Sequence, residues 1–271
     1  MQKILIVGSS GLVGKNFFNM LNKKYRIDNI DKHNVNKAKE IISNNHYDFL
    51  IYLALSKEYK SNVYTQDILF VNVELLRMVL EQSIGRVKNV IYFSTGSVYR
   101  KSKSKLNSDS ILDYNSSNPY VLSKIMGEML MQSFEKFYES CIIVRPFYIY
   151  GPGQNKNMLF NFLIDKISNN ENIIIGKDGG LVFNPIHVFD VVHFLDKIIM
   201  EPISNKKIYN FCGGEVLTLK ELILKIGLKM NYLPIIVEDD RQTEFLVSNK
   251  ESFLTNSVSI DTGINTILNE N

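Results

Sequence analysis

The chain has no tryptophan, only two cysteines and almost no excess of either charge: its 271 residues carry 31 Lys and Arg against 28 Asp and Glu, a formal +3. Each scarcity excludes something. Cys141 and Cys212 each lie within an apolar, strand-like segment and form neither a disulfide frame nor a metal-ligand spacing. Both are read as core thiols in a reducing, cytoplasmic compartment, and no metal site is expected. So small a charge, on scattered lysines, offers no face for nucleic acid or a membrane surface, and the KSKSK run at Lys101 to Lys105 reads as solvated loop. No apolar run approaches transmembrane length, and the one opening MQKILIVGSS is too short for a signal peptide. Abundant Ile, Lys and Asn without Trp fits codon bias rather than function.

What is present is an ordered series of short motifs. A chain of this length buries a full core, as one large α/β domain or two small ones. Lys3 to Val7 is a continuous apolar run, as in a strand buried on both faces of a parallel sheet, and it enters Gly8-Ser9-Ser10-Gly11-Leu12-Val13-Gly14. A helical pattern follows with Phe17, Phe18 and Leu21 on one side. In this order Gly8 permits a tight turn, Gly11 lets backbone approach a pyrophosphate at the helix N-terminus, and Gly14 lets helix and strand close up. A second strand, Tyr25 to Ile30, ends in Asp31, whose carboxylate suits the ribose hydroxyls of an adenosine. That favours NAD, while Lys32 and His33 keep NADP possible.

Farther on, one helical segment around Ala38 to Ser43 precedes a strand, Phe49 to Leu53, that ends at Leu53-Ala54 by the expected cofactor crevice. Lys57 follows, facing a phosphate or merely solvated. Asn72 is read as opening an apolar helix, Val73 to Leu80. The strand Val90 to Phe93 closes in Ser94-Thr95-Gly96-Ser97-Val98-Tyr99, at the carboxyl edge where open α/β sheets place ligands. NPYVLSKIMGE, Asn118 to Glu128, then sets Tyr120 one helical turn ahead of Lys124 on the same face. A fixed cation favours a phenolate, so the pair is expected to act as an acid–base device.

These segments resemble the extended short-chain dehydrogenase/reductase family of NAD-dependent nucleotide-sugar epimerases, dehydratases and reductases. GxxGxxG at Gly8 to Gly14, YLA at Tyr52 to Ala54, STGSVY at Ser94 to Tyr99, PYVLSK at Pro119 to Lys124, VRPFYIYGPGQ at Val144 to Gln154 and NPIHVFDVV at Asn184 to Val192 arrive in family order. YNFCGGEVLTLKEL, Tyr209 to Leu222, and DTGINTIL, Asp261 to Leu268, look like its late elements. The resemblance implies an α/β fold: a Rossmann-type doubly wound parallel sheet over residues 1–150, a smaller C-terminal α/β substrate domain over 151–271, and a strand at 207–212 returning to the main sheet. It also implies that Thr95 hydrogen-bonds the reacting hydroxyl or carbonyl, that Tyr120 is the catalytic acid/base, and that Lys124 lowers the tyrosine pKa and holds the nicotinamide ribose. Leu12, Val13, Leu53, Ala54, Lys57, Asn72 and Pro146 match cofactor-contacting positions beside Gly8, Gly11, Gly14 and Asp31. A homodimer formed through the Asn72 and Tyr120 helices is expected, with Leu75, Leu76, Val79, Leu80, Met126, Leu130 and Met131 serving that interface or the subunit's own core.

Departures from the family narrow the chemistry. Dehydratases resembling this chain carry an Asp-Glu pair after the Thr, and decarboxylating relatives also place a carboxylate there; here the residues are Gly96 and Ser97. Simple redox at one carbon of a nucleotide-sugar remains, as a C4 epimerase or a keto-sugar reductase. Phe183 stands where many relatives use Arg to grip nucleotide phosphates, and Tyr148 where Asn is usual. Arg241 either supplies the missing charge or is an ordinary surface arginine, and His187 reads as a hydrogen-bonded structural histidine. The substrate set is thus Thr95, Gly96, Ser97, Tyr120, Tyr148, Phe183 and Arg241. Reduction of a ketone without a nucleotide, or cofactor sensing without turnover, are the rival readings.

Overall fold

Short apolar runs alternate with amphipathic segments, and in the computed structural model, which describes residues 1–201, 207–249 and 257–270, they become alternating strands and helices. In chain order these are β1 (Lys3–Val7), α1 (Leu12–Leu21), β2 (Arg26–Ile30), α2 (Ala38–Ser43), β3 (Tyr47–Tyr52), α3 (Gln66–Leu69), α4 (Leu75–Ser83), β4 (Val87–Phe93), α5 (Pro119–Phe134) and β5 (Ser140–Pro146). After them come β6 (Ile149–Tyr150), α6 (Leu159–Ser168), β7 (Ile173–Ile175), β8 (Val182–Phe183), β9 (Ile186–His187), α7 (Val188–Met200), β10 (Ile208–Phe211), β11 (Leu217–Thr218), α8 (Leu219–Met230), β12 (Ile236–Glu238), β13 (Phe245–Leu246) and α9 (Ile260–Leu268).

The main sheet runs β10-β5-β4-β3-β1-β2. Its central pairings are parallel, with Ile4 opposite Phe49 and Val7 opposite Tyr52 across β1 and β3, and Ile91 opposite Ile142 across β4 and β5. This is a doubly wound, Rossmann-type α/β fold, and it puts the ends of β1, β3 and β4 along one edge. The strand expected at 207–212 is β10, beside β5.

Contacts divide the chain into two units. The first comprises Met1–Arg100, Ser110–Arg145 and Leu195–Tyr209; the second comprises Lys101–Asp109, Pro146–Phe194 and Asn210–Asn271. In the first, Leu5, Val7, Leu50, Val90 and Ile143 of the sheet form one core with Leu75, Leu76, Val79, Leu80 and Met131 of the helices. Each such side chain removed from water contributes about 1.5–3 kcal/mol. Those five helix residues therefore belong to the subunit's own core, and of the set weighed for a dimer Met126 is exposed. α5 lies so close to β4 that a Cβ on Gly127 would sit 2.2 Å from the Tyr92 hydroxyl.

One helix start differs from the sequence reading. The helical segment begins at Gln66, where Thr65 Oγ1 accepts from Ile68 N, and passes through a π-turn, Phe70–Glu74, that contains Asn72. The π-turn breaks the 3.6-residue period, so the apolar pattern becomes regular only past Asn72.

In the second unit α6, α8 and α9 pack Phe160, Leu163, Leu222, Ile226, Ile260 and Ile264 around β7 and β8. Tyr150 stacks on Phe160 with ring centroids 4.0 Å apart. A capping box, Thr218 with Glu221, starts α8. Among the described residues no helix is long and apolar enough to cross a membrane, and no group of His, Cys, Asp or Glu is arranged to hold a metal ion. Both cysteines are buried and neither is in a disulfide, and burial pushes the Cys141 thiol up to about 12.

Candidate active site

The glycine-rich turn joins β1 to α1. Gly8 has φ +94, and a Cβ there would lie 2.5 Å from Ala54 N, so this position takes the turn and the close approach together. A Cβ on Gly14 would lie 2.6 Å from the Ser9 backbone, so this glycine closes the helix onto its own loop rather than onto the strand. Gly11 differs, for its Cβ would meet nothing nearer than the Gly8 carbonyl oxygen at 3.4 Å. As N-cap of α1 it offers no side-chain bond to the first amides, and no acidic residue lies in the first turn. Uncapped amides at a helix N-terminus with an open approach suit a phosphate. Leu12 is half-buried and Val13 buried beside them.

Asp31, at the end of β2, is half-buried. Its Oδ1 accepts from His33 N at 2.8 Å and its own N donates to Asn34 Oδ1 at 2.7 Å, which fixes the turn that presents the carboxylate. Leu53 and Ala54 are half-buried after β3. In the following loop Asp67 accepts from Lys57 N at 3.0 Å and from Ser56 Oγ, leaving the Lys57 side chain exposed. Asn72, expected against a cofactor, is fully buried: Oδ1 accepts from Ser56 N at 3.4 Å and Nδ2 donates to Ser123 Oγ at 2.9 Å. It ties that loop to α5.

Thr95 caps the turn after β4, its Oγ1 accepting from Ser97 N at 3.2 Å. Gly96 in that turn is buried and Ser97 exposed. Asn118 caps α5 through a 2.9 Å bond from Tyr120 N, and Pro119 occupies the first turn, so Tyr120 is fixed at the helix start. The Thr95 hydroxyl lies near enough to the Tyr120 phenol to pull its pKa downward. Burial pushes the Tyr120 phenol up to about 12, against the downward pull of Thr95. Tyr120 is half-buried. Lys124 is buried, donating from Nζ to Phe93 O at 2.9 Å, and burial pushes it down to about 7 while Glu128 works to raise it. The expected lowering of the tyrosine by the lysine is therefore not the arrangement found: the ammonium serves the strand carbonyl, and desolvation governs both groups.

Residues 4–212 match the NAD dependent epimerase/dehydratase family. The chain belongs to that family. Among its relatives is a GDP-6-deoxy-D-talose 4-dehydrogenase of Aggregatibacter actinomycetemcomitans, 26% identical over 243 residues that cover 83% of this chain and 80% of the relative. Another is a dTDP-4-dehydro-6-deoxyglucose reductase of Escherichia coli, 30% identical over 213 residues, covering 74% and 65% of the two chains. A UDP-glucuronic acid 4-epimerase of Bacillus cereus, solved with UDP-glucuronic acid and NAD, superposes with a TM-score of 0.84 at 19% identity, covering 98% of each chain, and shares the fold.

As an enzyme of the NAD dependent epimerase/dehydratase family, the chain carries its remaining expected site residues in the second unit. Pro146, at the end of β5, is half-buried. Tyr148 is exposed in a left-handed conformation, φ 53, with its ring edge-on to Phe183 at 5.2 Å. Phe183, expected on the substrate, is fully buried and part of that unit's core, because β8 turns it toward Leu217 and the helices. Arg241 spends its charge on Asp239, Nε to Oδ2 at 2.8 Å, and donates Nη2 to Ile174 O at 3.3 Å. His187 is structural: Nδ1 accepts from Phe189 N at 3.3 Å and Nε2 meets Thr266 Oγ1 at 3.0 Å. Thr266 donates its own proton to Gly263 O, so the neutral ring carries its hydrogen on Nε2.

Sequence reasoning missed two features of this family member. Tyr59 stands edge-on to Tyr120 with ring centroids 5.9 Å apart, and nothing in the loop pattern marks it. Glu128 and Arg145 form a buried ion pair, and here a signal existed: an arginine inside the otherwise apolar strand CIIVRP must find a carboxylate.

Proposed function

We propose that this protein reduces a 4-keto group on a nucleotide-activated sugar, with NAD(H) as its dinucleotide and Tyr120 as the proton donor. The observation that carries this reading is the Thr95 hydroxyl beside the Tyr120 phenol at the carboxyl edge of the sheet, two hydroxyls able to hold one carbonyl oxygen. The dinucleotide, when bound, supplies the hydride to the carbonyl carbon. Tyr120 gives its proton to the oxygen as that oxygen gains charge, and Thr95 keeps both in place. A phenol pushed up to about 12 is protonated at neutral pH, which suits donation and hence the reductive direction. The α1 N-terminus with open Gly11 receives the pyrophosphate, and Asp31 meets the ribose, where a 2′-phosphate would face like charge.

Two supports narrow the reaction. Gly96 and Ser97 bring no carboxylate beside Thr95, so the acid and base a dehydration needs are missing from that turn. Relatives that cover most of this chain act, by their names, as a 4-dehydrogenase and a 4-dehydro-sugar reductase, both on a 6-deoxyhexose joined to a nucleoside diphosphate. The partner is proposed to be a second copy of the chain, meeting it through the exposed apolar residues Phe70, Met78, Met126 and Met129.

The test is to purify the protein without added nucleotide, denature it and identify any released dinucleotide by mass spectrometry. Sub-stoichiometric dinucleotide is expected of a reductase that exchanges cofactor at each turnover. Stoichiometric NAD would favour a C4 epimerase, which recovers its own hydride.

A further inference from the structure

Four side chains that the proton-transfer reading leaves unused meet within the first unit. Ser94 Oγ donates to Glu128 Oε1 at 2.5 Å. Arg145 grips the same carboxylate with two donors, Nε to Oε1 at 2.9 Å and Nη2 to Oε2 at 2.6 Å. Its Nη1 donates to the Tyr99 hydroxyl at 2.7 Å. The ion pair is out of water, with side-chain exposures of 3% and 2%.

A buried pair of this kind is a weak source of stability, since desolvating both ions offsets their attraction. A bidentate fork does fix geometry. Ser94 directly precedes Thr95, and Tyr99 follows the turn that Thr95 caps. Glu128 lies one helical turn past Lys124, which itself holds Phe93 O. The segment carrying Thr95 is thus anchored at Phe93 and Ser94 by α5, the helix that carries Tyr120, and at Tyr99 by β5.

We infer that Glu128, oriented by Arg145, is a positioning residue that fixes the Thr95 strand end against the Tyr120–Lys124 helix. The inference rests on the proposed role of Tyr120. Lys124 is faced by Tyr120 and Glu128 on its own helix, by the Tyr92 ring at 5.2 Å and the Phe93 carbonyl on β4, and by Arg145 of β5 through Glu128. Tyr52 on β3 lies behind Tyr92, ring centroids 6.0 Å apart. Of these, Glu128 is the group that raises the lysine against burial. Neutralising it leaves Arg145 uncompensated and drives Lys124 to lower pKa. A carboxylate that merely supported the fold would move stability and leave the pH profile in place.

The experiment measures kcat and KM against pH for the full chain and its Ser94→Ala, Glu128→Gln, Arg145→Lys and Tyr120→Phe variants. The probes are NADH with 4-keto-6-deoxyhexoses linked to dTDP or GDP. Ser94→Ala, which keeps the ion pair, is expected to lose about 10-fold in kcat with KM nearly unchanged. Glu128→Gln is expected to lose about 10²-fold and to shift its alkaline limb to lower pH, while Arg145→Lys, keeping the charge, leaves that limb near its original place. Wild-type kcat in Ser94→Ala, or an unmoved limb in a folded Glu128→Gln, overturns the inference; if Glu128→Gln does not fold, Ser94→Ala decides. Wild-type turnover by Tyr120→Phe would overturn the proton-donor reading and this inference with it. An inactive Tyr120→Phe beside a fully active Ser94→Ala removes the positioning role alone.

Discussion

Lys124 donates a 2.9 Å hydrogen bond to the carbonyl of Phe93, two residues before Thr95. It stands one turn after Tyr120, as the motif requires, yet its charge is bound to the strand and its burial lowers it to about 7. Tyr120 is held at the other extreme, near 12. With Tyr120 as the proposed proton donor, reduction would need the protonated phenol and oxidation the phenolate. The rate of sugar oxidation is therefore expected to climb with pH by about tenfold per unit through the neutral range, whereas reduction does not. Initial rates in both directions across pH check this, and an oxidative plateau at neutral pH would show a phenol that titrates there.

The glycines of the turn divide by what surrounds them. Gly11→Ala meets no close atom and keeps an ordinary backbone, so the melting temperature should change little while NADH affinity falls about tenfold or more. Gly14→Ala drives a methyl into the Ser9 backbone and should destabilise by about 1–3 kcal/mol. Thermal melts beside NADH titration separate the two.

How much is legible in the sequence follows from where the information lies. β1 and α2 match their expected bounds because a both-faces-buried strand and a short amphipathic helix are written in side-chain polarity alone. The start of the Asn72 helix is not, since a π-turn changes the period without changing composition. Tyr120 and Thr95 stand out by spacing and order, but the partner of Lys124 is a backbone carbonyl, which no residue type announces. Phe183 is expected at a substrate from its position in the motif, whereas the packing of β8 that buries it is a tertiary fact with no local signal. Arg241 follows two aspartates in the chain, and it is Asp239 that takes its charge.

His187 carries an acid liability of the second unit. It is buried, and desolvation lowers it to about 4 from 6.5. The unfolded chain therefore binds a proton more readily between those values, so the stability this ring contributes is complete above about 6.5 and is lost as pH falls through about 4. The loss amounts to about 3 kcal/mol. Urea unfolding of wild type and His187→Gln should show their difference shrinking by roughly that amount on acidification; a constant difference would mean the ring titrates normally.

Exposed methionines on α5 give the second-copy proposal a simple check. Met129 is 58% exposed and Met126 lies three residues before it. Wild type is expected to sediment as a dimer, and Met126→Glu with Met129→Glu as a folded monomer. A wild-type monomer at micromolar concentration would remove the proposal.

The most direct measurement compares wild type with Tyr120→Phe in a single turnover of NADH against dTDP- and GDP-linked 4-keto-6-deoxyhexose, with NADH affinity measured in parallel. Removing the phenol hydroxyl should leave NADH affinity close to wild type and slow hydride consumption by about 10²-fold or more. Turnover at the wild-type rate with Phe at this position would contradict the account at its centre.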